Sequence, residues 1–408
     1  MAIRGKNMGD VKQSNRYAIL QLLHQEGGMS RKQLAARLNL TPAAITLIVN
    51  DMIADRIVRE GDVLSKQGSA GRREILVEIS NDVYAAGLSI NIDNVLVSVT
   101  DPAGHLVAAH SDALPQGGAE AVLKELAGRV LDVLHSARIA QERVIGLGVA
   151  VRGTVDPELG VSQNSYGIWE ETNVPVRALL GALLPFPVSV DNNVRSLANA
   201  EQFLSQYASI ESMLFVRCEY GIGAAITLEH HAYAGYQNRS AELGHIHVAG
   251  QKLLCRCGQR GCLETIASGN AMLTRARAVF SAKETPVLYA LAGGSAENVT
   301  LDSLLDAARR GDAGAGRVVE LGISSFAQVL CASGKLLDVQ TIVLYGRIFQ
   351  NAFYTERLRA EMMAIDARVA EQTTVSRMNL ELDALAAPVQ AVRAYFRCGG
   401  KAAEAAEN

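Results

Sequence analysis

Apolar residues recur at helical spacing three times near the N-terminus. From Ser14 to Gln25, Ile19, Leu20, Leu22 and Leu23 share one face, and Gly27-Gly28 stops the run. Ser30 then opens a second helix, with Gln33 three residues on to complete a capping box and Leu34, Ala35 and Leu38 as the apolar face; Asn39 ends it. Thr41-Pro42 begins a third, because threonine can cap the first turn and proline lacks only an N–H that this turn leaves unused. Ile45, Ile48, Val49 and Met52 form its buried stripe. Two short helices joined by a tight turn predict a helix-turn-helix, whose last helix would enter the major groove of DNA with its first residues toward the base edges. Ser30, Thr41, Ala43, Ala44, Thr46 and Asn50 are then candidate DNA contacts, and small apolar groups with threonine suit thymine methyls.

The period changes to two in Ile57 to Val63 and again in Glu74 to Ile79, which flank KQGSAGRR at Lys66 to Arg73. A hairpin behind a helix-turn-helix predicts a winged form. Arg72 and Arg73 at its tip would supply charge for phosphates or a narrow minor groove.

Beyond about Tyr84 the pattern is that of an α/β body. AAGLSINIDNVLVSVTDPAGHLV reads as two strands with Asp93-Asn94 at their turn, Ala119 to Ser136 as a helix, and Val144 to Val151 as a strand buried on both faces. A short strand at Val188 to Val190 leads through Asp191-Asn192-Asn193 into a helix from about Val194 to Gln206. Met272 to Ala282, Thr300 to Arg310 and Gly316 to Leu337 are further helices with core-type faces, and no tandem repeat is visible. Trp169, the single tryptophan, is equally suited to core or to stacking on a sugar.

Composition adds one point to this picture. Net charge is −3, but residues 1–80 carry twelve Lys/Arg against eight Asp/Glu, and the remainder twenty-seven against thirty-four. A basic head on an acidic body points weakly to nucleic acid at the N-terminus. With 49% hydrophobic and 20% charged residues and no apolar run of membrane length, neither a membrane span nor disorder is expected; the polar start argues against a signal peptide, so a cytoplasmic protein is expected.

The densest chemistry lies in ELGHIHVAGQKLLCRCGQRGCLE, Glu242 to Glu264. His245, Cys255, Cys257 and Cys262 form a set of one imidazole and three thiolates, suited to tetrahedral zinc; four protein ligands with no open position make such a site structural. His247 competes with His245, and if the segment is a strand only one of the two can face the cysteines.

The run Glu242-Leu-Gly-His245 followed by Cys255-x-Cys257-Gly-x-x-Gly-Cys262-Leu-Glu264 resembles the signature of the ROK family of repressors and sugar kinases. GTVDPELG from Gly153 and VDNNVRSLANAE from Val190 extend the resemblance. It implies a winged helix-turn-helix over residues 1–80, then a two-lobed actin-like sugar-kinase fold: residues 81–194 with 381–398 as one lobe, 195–380 with the zinc loop as the other, and 399–408 as a disordered tail. It also implies that Asn192, Asn193, Glu242 and Glu264 bind sugar hydroxyls, with the second nitrogen of zinc-bound His245 taking another.

Four departures from the family's kinases bear on activity. Their general base is an aspartate where this chain has Asn193, and an amide cannot take a proton near neutral pH. Their first hairpin carries Asp and Gly-Gly-Thr, replaced here by Ser89-Ile-Asn91-Ile-Asp93-Asn94. Glu219-Tyr220-Gly221 replaces a Gly-Thr-Gly phosphate turn, and Tyr345 replaces the first glycine of a Gly-Gly nucleotide contact. The expectation is a non-enzymatic repressor with structural zinc and no ATP, answering to a sugar or sugar phosphate and binding operator DNA as a homodimer or homotetramer. An active sugar kinase with an added DNA-binding head is the alternative.

Overall fold

A computed structural model describes residues 8–64, 74–165, 167–378 and 381–401. They fall into two compact units, one built from the chain up to Ala208 together with the segment from Glu381, the other from Ser209–Leu380. Among the described residues no helix is long and apolar enough to cross a membrane.

The first unit opens with α1 (Met8–Glu26), β1 (Met29–Ser30), α2 (Arg31–Leu38), α3 (Pro42–Ala54), β2 (Val58–Leu64) and β3 (Glu74–Ile79). Local chemistry sets these boundaries. Ser30 and Gln33 form the reciprocal cap of α2, Asn39 closes it in the left-handed conformation, and Thr41 caps α3 with Pro42 at its first position. The strands pair in the order β1-β3-β2, the stem of a wing. Its expected tip, with Arg72 and Arg73, lies outside the described residues.

The same unit continues with β4 (Tyr84–Ile90), β5 (Asn94–Thr100), β6 (Leu106–Ala113), α4 (Ala119–Ser136), β7 (Val144–Val151), β8 (Thr154–Asp156), β9 (Val161–Asn164), α5 (Val176–Gly181), β10 (Val188–Asn192) and α6 (Asn193–Leu204), and ends in a C-terminal helix, Leu382–Arg397. Its main sheet has the order β10-β7-β4-β5-β6. β4 pairs antiparallel with β5 and parallel with β7, and every residue of β7 is buried, as its unbroken apolar run requires. The C-terminal helix packs close to the sheet because Gly87 and Gly148 present no side chains; a Cβ on Gly148 would stand 1.8 Å from the carbonyl oxygen of Ala387.

The head is continuous with this sheet and helix. One apolar cluster contains Ile19, Leu20, Ile45, Met52 and Ile57 from the head with Ala85, Ile145, Val392, Tyr395 and Phe396 from the body. Around it, His24 of α1 stacks on Phe203 of α6 at 3.8 Å between ring centres and shares a hydrogen bond with the Phe203 carbonyl; burial holds its pKa below the usual histidine value. Buried Arg16 pairs with Asp55 at 2.7 Å and donates to the carbonyl of Gly399. Gly399 and Gly400 themselves close the C-terminal helix by backbone bonds to Phe396 and Tyr395. Gly399 and Gly400, expected in a loose tail, are thus part of the packing.

The second unit contains β11 (Ser212–Cys218), β12 (Ile222–Leu228), β13 (His231–Tyr233), α7 (Glu264–Ala267), α8 (Gly269–Ala278), α9 (Pro286–Leu291), α10 (Leu301–Arg309), α11 (Ala313–Leu337), β14 (Thr341–Tyr345), α12 (Ala352–Ile365), α13 (Ala367–Gln372) and β15 (Thr373–Val375). Its sheet runs β13-β12-β11-β14-β15, three antiparallel strands followed by two parallel ones. That is the order of the first unit's sheet repeated, a duplication the residues themselves do not display.

Candidate functional site

On α3, the buried stripe of Ile45, Ile48, Val49 and Met52 leaves Ala43, Thr46 and Asn50 exposed, with Ala44 half-buried. Ser30 does not join them: it is 3% exposed and its hydroxyl accepts from the Gln33 N–H, so its role is to begin α2 rather than to touch DNA. Thr41 likewise accepts from the Ala44 N–H. Leu47, not picked out from the sequence, is 66% exposed on the same helix. Its helical phase, one residue before the buried pair Ile48-Val49, was the available signal.

In the body of the first unit, β10 hands over to α6 through Asp191, Asn192 and Asn193. Asn192 caps α6, accepting from the N–H groups of Val194 and Arg195 at 2.8 and 3.1 Å, while its own amide donates to the Gly153 carbonyl at 2.7 Å. The oxygen of that side chain is taken, and one of its two amide N–H donors remains for a ligand. Arg195 reaches back from the first turn to Asp191 at 2.6 Å and to the Val155 carbonyl at 2.7 Å, binding the turn to the strand pair β8–β9. Among the described residues the Asn193 side chain has no partner; its amide is half-buried and can both donate and accept. Trp169 belongs to the core, 7% exposed among the apolar residues of this unit.

In the second unit, His245 ends a short 3-10 turn, Leu243–His245, where a strand was expected. That turn brings its ring to the three cysteines: the ligand atoms of His245, Cys255, Cys257 and Cys262 all lie within 4.8 Å of one another. His247 faces away and contacts the Arg260 carbonyl, so His245 is the histidine of the cluster. Cys255 Sγ is 3.6 Å from His245 Nδ1, and Cys257 Sγ is 3.7 Å from Cys262 Sγ. Zinc–sulfur and zinc–nitrogen bonds of about 2.3 and about 2.05 Å imply tetrahedral edges of about 3.6 Å between sulfur and nitrogen and about 3.8 Å between two sulfurs. The set therefore fits the ion.

Without a cation the thiols do not ionise alike: burial is outweighed at Cys257, where hydrogen bonds from the backbone and from its two neighbours hold the thiol below its usual value. Burial, then the neighbouring cysteines, push Cys262 up to about 12, and burial raises Cys255 as well. The loop is closed by backbone bonds from Val248 to Gly261 and from Leu263 to Ile246, and Gly261 is required at its bend. Its φ is +74°, and a Cβ there would lie 2.5 Å from the Gln251 carbonyl oxygen.

The two carboxylates at the ends of the signature differ in use. Glu242 is exposed and pairs with Arg239 at 2.9 Å. Glu264 spends Oε2 on the N–H of Ile222 at 2.9 Å, fastening the turn between β11 and β12. Glu219 in that turn does something the sequence did not disclose: its Oε1 accepts from the N–H of Arg347 at 2.7 Å, in the turn after β14. Phosphate-binding turns need free N–H groups. Here the N–H of Glu219 goes to the Gly221 carbonyl, that of Gly269 to the Glu219 carbonyl, and those of Ile222 and Arg347 to the two carboxylates.

Comparison with known proteins agrees with both halves of this description. Residues 78–384 match the ROK family, and residues 13–59 match a winged helix-turn-helix DNA-binding domain. The DNA-binding transcriptional dual regulator NagC of Escherichia coli strain K12 is 29% identical over 350 residues, 84% of this chain and 82% of that one. The DNA-binding transcriptional repressor Mlc of the same strain is 23% identical over 397 residues, 93% and 95% of the two chains. Among solved structures, a ROK family transcriptional regulator homologous to the E. coli Mlc protein covers 96% of this chain and 98% of its own with a TM-score of 0.81 at 21% identity. A ROK glucokinase from Streptomyces griseus, in complex with glucose and AMPPNP, covers 75% and 98% with a TM-score of 0.61 at 21% identity. With the family's profile matching most of its length and a DNA-binding head ahead of it, the chain belongs to the ROK family.

Proposed function

We propose that this protein is a sugar-responsive, DNA-binding transcriptional repressor of carbohydrate-utilisation genes, acting in the cytoplasm, whose kinase-like body binds a sugar or sugar phosphate without transferring a phosphoryl group. The observation that carries the reading is the combination of a capped helix-turn-helix with the Glu219 and Glu264 carboxylates holding backbone N–H groups at the turns where the family's kinases would cradle phosphate. Two carboxylates at those turns would repel a nucleotide, and Asn193 cannot act as a base. Structural zinc on His245, Cys255, Cys257 and Cys262 supplies a rigid loop and no reaction step.

In the head, Ala43, Ala44, Asn50 and the methyl of Thr46 meet base edges, Thr41 caps the helix that presents them, and Arg72 and Arg73 meet phosphates. One reading helix per chain fits a palindrome bound by a homodimer or homotetramer. Hydroxyl-binding falls to Asn193 and the remaining amide N–H of Asn192 in the first unit, and to Glu242, Oε1 of Glu264 and the second ring nitrogen of His245 in the second.

The test is a thermal melt against a sugar library, followed by binding of library-selected DNA with and without the stabilising sugar. A ligand that binds only the native state raises the melting temperature. Glu242→Ala is expected to weaken sugar affinity roughly 10- to 150-fold, the usual effect of losing one charged hydrogen-bond partner, while DNA affinity without sugar stays unchanged. Sugar changes DNA affinity only through unequal affinity for two arrangements of the protein, so the switching midpoint moves by the same factor. A Glu242→Ala protein that keeps its zinc and switches at the wild-type sugar concentration would remove Glu242 from the pocket. Sugar-dependent ATP turnover above background would remove the non-enzymatic reading.

A further inference from the structure

The exposed face of α3 carries no charge over its first nine residues, and Asp51, one turn beyond Leu47, is paired with Lys12. From Leu40 to Asn50 there is no Asp, Glu, Lys or Arg, and the two threonine hydroxyls and the Asn50 amide oxygen of that face are already in use. Thr46 Oγ1 donates to the Pro42 carbonyl at 2.8 Å, which turns its hydroxyl inward along the helix. Thr41 accepts the Ala44 N–H, and Asn50 Oδ1 accepts from Arg31 at 3.2 Å. Arg31 is in turn held by Glu60 at 3.0 Å. What remains outward is the Ala43 methyl, the amide N–H groups of Asn50 and, 66% exposed, the Leu47 isobutyl group.

A single exposed leucine is ordinary. Leu47 is not ordinary in its setting, because it sits on the face that a helix-turn-helix lays into the major groove. Such a face cannot make the bidentate arginine–guanine contact. Its complement in the groove is the thymine C5-methyl, the one apolar group that base edges offer there.

We propose that Leu47 is a specificity-determining residue of this repressor, seating its side chain against a thymine methyl in each half-site. The proposal rests on the DNA-binding reading above and goes beyond it in naming the residue, the group it reads and the means.

The experiment uses the full chain, zinc-loaded and reduced. Duplexes are first enriched from a randomised library; each thymine of the enriched half-site is then replaced in turn by deoxyuridine, which lacks only the methyl. At one or two positions the replacement is expected to weaken wild-type binding about fourfold, the value of one buried methyl. Leu47→Ala, at an exposed position, is expected to leave the melting temperature unchanged, to weaken binding to the enriched duplex, and to abolish the deoxyuridine penalty at that same position. Coupling of this kind separates a direct contact from a general loss of affinity. Uniform indifference of the wild type to deoxyuridine, or a Leu47→Ala variant that keeps the full penalty, would overturn the assignment while leaving the DNA-binding reading intact. Failure to enrich any duplex would overturn both. A Leu47→Ala variant that changes oligomeric state without the coupling would place Leu47 at a protein contact instead.

Discussion

Purified from reducing, chelator-free buffer, the protein is expected to carry about one equivalent of zinc per chain, and Cys257→Ser to lose both the ion and sugar-dependent switching. The effect should be large because structural zinc contributes roughly 10–16 kcal/mol of apparent binding free energy in small zinc domains, much of it folding free energy. Here the ion would hold two thiols, Cys255 and Cys262, that resist ionisation in its absence and a loop whose far end supplies Glu264 to the Ile222 N–H. Loss of the ion should therefore loosen the turn between β11 and β12 as well as the loop. Elemental analysis and a thermal melt are the measurements, with Cys398→Ser, which is not among the four ligands, as the control that keeps its metal. A metal-free wild-type preparation that melts and switches normally would dispose of the site.

The second large effect is expected at Arg195→Met. Arg195 and Asp191 are 4% and 8% exposed, and removing the guanidinium strands a carboxylate away from water. Breaking a buried pair by deleting one partner typically costs about 3–5 kcal/mol, far more than the pair contributes net, since desolvation offsets most of the attraction. Urea denaturation of Arg195→Met should show a loss of that order. The double variant Asp191→Leu with Arg195→Met should recover part of it, because no charge is then left unpaired. A single variant within about 0.5 kcal/mol of wild type, a bound set by the usual scatter of surface substitutions, would mean that the turn presenting Asn193 is held by something else.

The legible parts of the chain were those governed by neighbours in sequence. Ser30 with Gln33, Thr41 with Pro42, and the apolar run of β7 each carry their own physical reason within a few residues, and the structure has them where those reasons put them. The cysteine cluster was legible because metal ligation demands a rare set of residues in a short span. Illegible were features decided by distant contacts. The C-terminal helix contains Pro388 in its interior, normally a breaker, and accommodates it against Gly87, some three hundred residues earlier in the chain. The repeated strand order of the two sheets is a property of topology, with no residue pattern to announce it. Asn192 and Trp169 show a subtler gap. A motif names a residue, but whether its side chain faces a ligand, caps a helix or joins the core depends on the backbone around it.

The apolar cluster shared by the head and the C-terminal helix bears on how new DNA specificities could be engineered into this scaffold. A head cut out at residue 80 and transplanted onto another ROK body would leave Val392, Tyr395 and Phe396 behind, and with them one wall of its own interior. Ile19, Leu20 and Ile57 would then meet a foreign surface. Specificity is better exchanged by repainting the outward residues of α3, which take no part in that interior, than by swapping the module that displays them.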